Sequence, residues 1–179
     1  MPDLIFTPSL FFQYATCPHW LWHERYSDKA LKGETPALME KLLEQGVLHE
    51  EEYIKGLSFV EVEEKRPTDA FAHTMRLMRE GAELIYQGEI QYEADGVIYR
   101  GRPDLLEKRR GATSSFGDYY YAPCDIKSST DIKTEQWMQL TLYAKILEEL
   151  QGVFPHEASI INRDHERIAF VIEEKHRIK

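Results

Sequence analysis

The chain is short of cysteine, of long apolar runs and of positive charge. Its 179 residues include two cysteines, Cys17 and Cys124, which excludes a small secreted fold stapled by disulfides and favours two free thiols in a reducing compartment. No stretch approaches the roughly 20 consecutive apolar residues of a membrane span. The opening Met1-Pro2-Asp3 lacks the basic and apolar regions of a signal peptide, so we expect a soluble, cytoplasmic protein with no membrane partner. There is no internal repeat, no low-complexity tract and no Gly/Ser linker, and nothing marks a second domain. A Gly-rich phosphate loop is also missing, which leaves an enzyme of small phosphate esters without support. Lys and Arg number 22 against 31 Asp and Glu, a formal charge of −9. That balance argues against wholesale wrapping by nucleic acid, because non-specific affinity for phosphate comes from basic side chains.

What is present suffices for a core: 42% hydrophobic residues, with eight Phe, ten Tyr and three Trp, far from the composition of a disordered chain. Thr7-Pro8-Ser9 is a helix start that leads into an aromatic stretch from Leu10 to Tyr26. Thr35-Pro36 opens a second helix to about Ile54, with Gly56 as its stop. On it Leu38, Leu42, Gln45, His49 and Tyr53 share one face. After a short strand near 57–62, Pro67 starts a third helix whose Phe71, Met75, Met78, Ala82 and Ile85 keep helical spacing until Gly88. Segments 89–93 and 97–102 flank Asp95-Gly96, a hairpin signal, and the second arm is expected to continue past Pro103 to Leu106. A loop at 111–117, a strand at 119–126, a helix at 131–151 ended by Gly152, and strands at 157–162 and 167–172 complete the chain. This order predicts a mixed α/β (α+β) fold, one central mixed sheet flanked by helices. We expect one domain over 1–179, with a helical cap at 1–57 and a sheet core at 58–179. The charged ending 173–179 follows a strand without a capping element, and leads us to expect the N-terminal part of a longer protein.

Several polar residues fall at the ends of elements built for burial. Asp104 follows Gly101-Arg102-Pro103, and Asp125 and Lys127 stand two apart at the end of a strand. Alternation puts Asp125 and Lys127 on one side, with the Ile126 carbonyl between them. Two carboxylates from neighbouring strands, joined by a backbone carbonyl, are what a hard cation such as Mg²⁺ or Mn²⁺ takes as oxygen ligands. An Asp-x-Lys triplet by itself is uninformative and reads equally as an exposed ion pair. The ordered set carries more: Gly46-x-x-His49, Gly101-x-x-Asp104, Asp125-x-Lys127 and Gln139-x-x-x-Tyr143.

In that order, over almost the whole chain, the set resembles the PD-(D/E)xK nuclease superfamily. It is most similar to the RecB-like branch, which includes exonuclease domains of helicase-nucleases and CRISPR adaptation nucleases. The resemblance implies a restriction-endonuclease-like core. It implies metal ligation by His49, Asp104, Asp125 and the Ile126 carbonyl, and a catalytic Lys127. Gln139 and Tyr143 are implied to act at the active site or on the substrate backbone, and Pro103-Asp104 supplies the literal Pro-Asp.

Each residue also has a plainer reading. His49 alone reads as a packed histidine, Gln139 and Tyr143 as the border of the stripe Leu140, Ala144 and Leu147, and Glu50 to Glu52 as a solvated face, with Glu50 a candidate support for His49. Gly46, inside a helix, needs a reason such as close approach of a strand or a DNA backbone. The segment Tyr14 to Trp22 with Cys17-Pro18 is similar to the family's first cluster-ligand region, yet no further cysteines follow Cys124. An iron-sulfur cluster is therefore not expected in this chain, and Cys17, His19 and His23 have the wrong spacing and count for zinc.

The resemblance thus implies a metal-dependent deoxyribonuclease, an exonuclease on single-stranded or end-containing DNA in repair, recombination or CRISPR-type processing. Arg102, with Lys127, Lys133 and Lys108 to Arg110, would supply local positive charge to DNA, and Phe11, Phe12, Trp20, Trp22 and Tyr26 would stack bases or pack the core. The alternative is a catalytically idle DNA- or protein-binding module within a larger helicase or nuclease complex.

Overall fold

The computed structural model describes residues 4–173; the start Met1-Pro2-Asp3 and the charged run after Glu173 lie outside them. The fold is mixed α/β. It opens with a strand that the sequence reading did not anticipate, β1 (Leu4–Phe6), followed by α1 (Pro8–Thr16) and α2 (Pro18–Tyr26). The expected single helix is two. Pro18 disfavours helical backbone at the residue before it, and Cys17 is extended, at φ −159° and ψ 113°, closing one helix and opening the next. Thr7 starts α1 through backbone geometry, without a side-chain capping bond.

Helix α3 (Ala37–Ile54) follows the expected bounds. It docks by its last turns, where Tyr53 and Ile54 pack against Leu105, Cys124, Ile126 and Ile161 with Leu57, Leu84 and Tyr86. Its first turns leave Leu38 70% and Leu42 50% exposed. The chain continues through β2 (Val60–Glu61) to α4 (Pro67–Glu80). Here the helical spacing misleads: α4 ends at Gly81, in the left-handed region at φ 75°, with the Ala82 N–H returning to the Leu77 carbonyl, a Schellman stop. Ile85 then sits in a strand, β3 (Leu84–Tyr86).

The hairpin forms as expected from β4 (Ile90–Ala94) and β5 (Val97–Gly101), but the second arm does not run on to Leu106. At Arg102-Pro103-Asp104 the chain changes sheet, and β6 (Leu105–Arg109) pairs with β3 and with β7 (Tyr120–Ile126). Arg102 pins the crossing, its Nη2 donating to the Val62 carbonyl at 2.7 Å and its Nε to the Gln87 carbonyl at 2.9 Å. The closing elements are α5 (Thr134–Gln151), ended by left-handed Gly152, then β8 (Glu157–Ile161) and β9 (Arg167–Val171).

The expected single sheet is therefore two among the described residues: three strands in the order β1-β5-β4, and six in the order β2-β3-β6-β7-β8-β9. Strand pairs β1/β5, β2/β3 and β7/β8 are parallel and the rest antiparallel. Helix α5 packs on β7 and β8 of the large sheet and on β4 and β5 of the small one. That sandwiching explains why Leu140 through Ala144, Ile146 and Leu147 are all buried, since a helix covered from several directions needs apolar residues around most of its girth. The interior strand β7 is likewise buried continuously from Tyr121 to Ile126.

Candidate active site

The site forms where four elements end together. The β6/β7 register, Leu105 opposite Cys124, carries Asp104 to a position opposite Asp125, just past the end of the antiparallel ladder. There the two residues interlock: the Asp104 N–H donates to Asp125 Oδ1 at 3.3 Å, and Asp104 Oδ2 accepts from the Ile126 N–H at 2.7 Å. Lys127 lies on the Asp125 side of the strand, as alternation requires, with Nζ 3.0 Å from Asp125 Oδ2 and 3.7 Å from Asp104 Oδ2. The 3.0 Å approach is an ion pair out of hydrogen-bond alignment, so Asp125 Oδ2 is buried without a hydrogen bond.

Two carboxylates facing one another at 1% and 15% side-chain exposure repel. Burial, and then the Asp125 charge, push the Asp104 carboxyl up to about 8, against the pull of Lys127. For Lys127, burial disfavours the charged form, and the two aspartates outweigh it, holding the ammonium above its usual range. Two strongly perturbed neighbours, Asp104 and Lys127, the latter lining a cleft, form the electrostatic pattern of a functional site.

Gln139 and Tyr143 share one face of α5, as their i, i+4 spacing requires, and Gln139 Nε2 donates to the Tyr143 hydroxyl at 2.7 Å. That hydroxyl in turn donates to the Arg102 carbonyl at 3.3 Å, fastening α5 to the segment that delivers Asp104. Burial, followed by the Asp125 charge, raises the Tyr143 phenol well above its usual range. Gly101 has a packing reason: a Cβ there would stand 2.3 Å from Tyr143 Cε1. Gly46 does not share it, since a Cβ would meet Ser128 Oγ at 4.0 Å, an ordinary contact, and no strand crowds this turn of α3.

The remaining expected residues divide. Ile126 enters the site through its N–H, donated to Asp104, rather than through an observed carbonyl contact. His49 lies with its ring centroid 5.0 Å from that of His165, its Nε2 buried and without a hydrogen bond. Among the described residues no three His, Cys, Asp or Glu side chains converge to ion-holding distance; Asp104 and Asp125 meet, and His49 is not grouped with them. The donor chemistry still suits a hard divalent cation: a buried, hydrogen-bond-free carboxylate oxygen beside a second carboxylate.

Arg102, expected to face substrate, lines the cleft, and its guanidinium is engaged by the Val62 and Gln87 carbonyls. Lys108 bonds the Gly81 carbonyl and Glu83, and Arg109 pairs with Glu107. The cleft beside Lys127 has a volume of about 730 Å³ and is also lined by Phe12, Trp20, Arg100, Lys133 and Gln139. Of the N-terminal aromatics, Phe12 and Trp20 face it, edge to face at 6.2 Å. Phe11 packs on Phe6 at 4.9 Å, and Trp22 and Tyr26 pair outside it.

Sequence reasoning passed over Glu89 and Gln87. Glu89 lines the cleft at 6% exposure, its carboxyl raised by burial despite Arg102 and Arg100 nearby. A buried acid at the start of a hairpin strand is a local signal that strand alternation alone does not separate from a solvated one. No family model matches the chain, and no curated protein matches it.

Proposed function

We propose that this protein is a divalent-cation-dependent deoxyribonuclease, hydrolysing phosphodiester bonds of single-stranded or end-containing DNA. The observation that carries the reading is the interlocked pair Asp104 and Asp125 with Lys127 beside it, Lys127 in turn lining a cleft that presents Lys133 and the Phe12–Trp20 pair. The motif order set out above supports it independently of the geometry, through its resemblance to PD-(D/E)xK nucleases.

Mg²⁺ or Mn²⁺ would be held by Asp104 and Asp125, and by resemblance also by His49 and Ile126. Bound there, it supplies charge neutralisation at the phosphate and a more acidic water. The chain's own groups do the rest. Lys127 remains protonated between the carboxylates and can donate to a phosphate oxygen or orient the attacking water as a point charge. Tyr143, hydrogen-bonded to Gln139 and to the Arg102 carbonyl, holds the Asp104 segment in place. Phe12 and Trp20 offer ring faces and edges to unpaired bases, and Lys133 a cation to the backbone.

The test uses end-labelled single- and double-stranded DNA with Mn²⁺, Mg²⁺ or EDTA. Cutting that requires the cation and falls by about 100-fold or more in Lys127→Ala and Asp104→Asn is the expected result. Intact DNA under every cation condition, or undiminished cutting by both variants, refutes the proposal. A second reading, a docking module that binds DNA or a protein without turnover, is favoured by the exposed apolar side chains of α2 and α3, among them Trp22, Leu38 and Leu43. DNA or partner binding with no cation-dependent turnover would select it.

A further inference from the structure

The cleft beside Lys127 holds a carboxylate that the hydrolytic site does not use. Glu89, immediately before β4, lines the cleft on a side chain 8% exposed. Arg100 Nε stands 3.7 Å from Glu89 Oε1 and donates its hydrogen bond elsewhere, to Gln91 Oε1 at 3.0 Å. Among the described residues, then, the Glu89 carboxylate has a neighbouring charge but no hydrogen-bond donor. Burial raises its carboxyl in spite of Arg102 and Arg100. A buried acceptor left without a donor is costly.

The backbone gives this acid little freedom. Its N–H donates to Thr74 Oγ1 at 2.9 Å, and that hydroxyl, fully buried, donates to the Ala70 carbonyl at 2.9 Å. Gly88 before it is packed so closely that a Cβ would stand 2.8 Å from Leu106 Cδ1. Helix α4 and strand β6 therefore fix Glu89 at the cleft wall, an acceptor held ready for a donor from outside the chain.

The other lining residues say what kind of donor fits. A phosphate is an anion and an acceptor, which Glu89 repels; the backbone is served instead by Arg100, Lys127 and Lys133. Phe12 and Trp20, 46% and 36% exposed, line the same cleft edge to face and suit a flat ring. A flat ring that also donates to a carboxylate is a nucleobase carrying an exocyclic amino group. Uracil and thymine present a carbonyl oxygen at that position, and their one ring N–H lies between two carbonyl oxygens that a carboxylate repels. Gln13 of α1 lines the cleft too, its Oε1 buried and likewise without a donor.

We infer that Glu89 is a specificity-determining residue, accepting a hydrogen bond from the amino group of an unpaired adenine, cytosine or guanine seated against Phe12 and Trp20. This rests on the DNA reading proposed above, and adds to it a selection against thymine and uracil.

The experiment is fluorescence anisotropy of end-labelled homopolymers of about 12 nucleotides, within the site sizes of single-strand binders. Deoxycytidine, deoxyuridine and thymidine strands are titrated with the full chain in EDTA and in Ca²⁺. Cytosine and uracil differ at one position as amino against carbonyl, and thymine controls for the methyl group. The wild type is expected to bind the cytosine strand about tenfold more tightly than either of the others. Glu89→Gln, whose amide both accepts and donates, should bring the three within about twofold, chiefly by tightening on uracil and thymine, with the melting temperature as the check on folding. A purely structural role of Glu89 in the hairpin would leave the ratio unmoved. Equal wild-type binding of the three strands, or the full cytosine preference retained in Glu89→Gln, overturns the inference and leaves the nuclease reading standing. A wild-type chain that binds none of the strands in either medium overturns both.

Discussion

Replacing Gly101 by Ala tests the link between the hairpin and α5 that holds Asp104 in place. The added Cβ would lie 2.3 Å from Tyr143 Cε1 and 2.6 Å from Cδ1, well inside carbon–carbon contact distance. Tyr143 has no free direction of retreat: it is 2% exposed, and its hydroxyl is fixed by Gln139 and the Arg102 carbonyl. Gly101 is not at positive φ, so the clash and not backbone strain sets the cost. Overpacking of this kind destabilises by about 1–3 kcal/mol. For a domain of this size each kcal/mol is about 2–4 °C in Tm, giving an expected fall of roughly 2–12 °C. The assay is urea denaturation and thermal melting of Gly101→Ala, Tyr143→Leu and the double variant. Leu lacks the ε carbon and can swing its branch aside, so the double variant should recover at least about 1 kcal/mol relative to the sum of the singles. Gly101→Ala within about 0.5 kcal/mol of wild type, or strictly additive singles, would show that the ring does not dictate this glycine.

Gly46→Ala is the counterpart: with 4.0 Å to the nearest atom, the substitution should stabilise the chain by about 0.5–1 kcal/mol through helix propensity alone, read as a rise in the urea midpoint. The raised Asp104 carboxyl, at about 8 in the fold against about 3.9 unfolded, means that the folded state keeps a proton that the unfolded chain releases. Cation-free stability should therefore be highest below about pH 4 with respect to this group and fall as pH rises towards about 8. Mn²⁺ must displace that proton, so its stabilising effect on Tm should be larger near pH 8 than near pH 6, and equal effects at both would refute the assignment. Cys124 is fully buried and its thiol is pushed up to about 12 by burial, whereas Cys17 is exposed. Iodoacetamide should label one cysteine in the native protein and two in urea, counted by mass spectrometry.

The parts of the site that lie on a single element could be read from spacing, and the parts that depend on which elements meet could not. Asp125 and Lys127 share a side because a strand alternates, and Gln139 and Tyr143 meet because i, i+4 residues do. Periodicity failed where a local conformer overrode it. Ile85 kept the helical spacing of Met75 and Met78, but Gly81 had already ended α4, and Pro18 broke a helix that the aromatic pattern carried through. The hairpin's second arm was expected to run past Pro103 to Leu106, but the chain crosses between sheets at Arg102-Pro103, and which sheet a strand joins is set by tertiary pairing that local spacing does not record. Nothing in the spacing of Glu50, Gln87 and Asp104 announces their contact, since it depends on α3 docking by its last turns and on a left-handed glutamine at the end of β3.

The charge of −9 is read differently once these contacts are known. Three of the basic residues expected to attract DNA are tied elsewhere, Arg102 to two carbonyls, Lys108 to Glu83 and Arg109 to Glu107. Close to the aspartates Lys127 is matched by carboxylates rather than opposed to solvent. On the nuclease reading, attraction of phosphate to this cleft would rest on Arg100, Arg102, Lys127 and Lys133, which line it together with Glu89 and Glu135, and on a cation neutralising the carboxylates. Binding of DNA should accordingly be tighter with the divalent ion than without it and weaken with salt in both cases, because the lining already carries cations and the ion adds to them; binding that is unchanged by the ion would refute this.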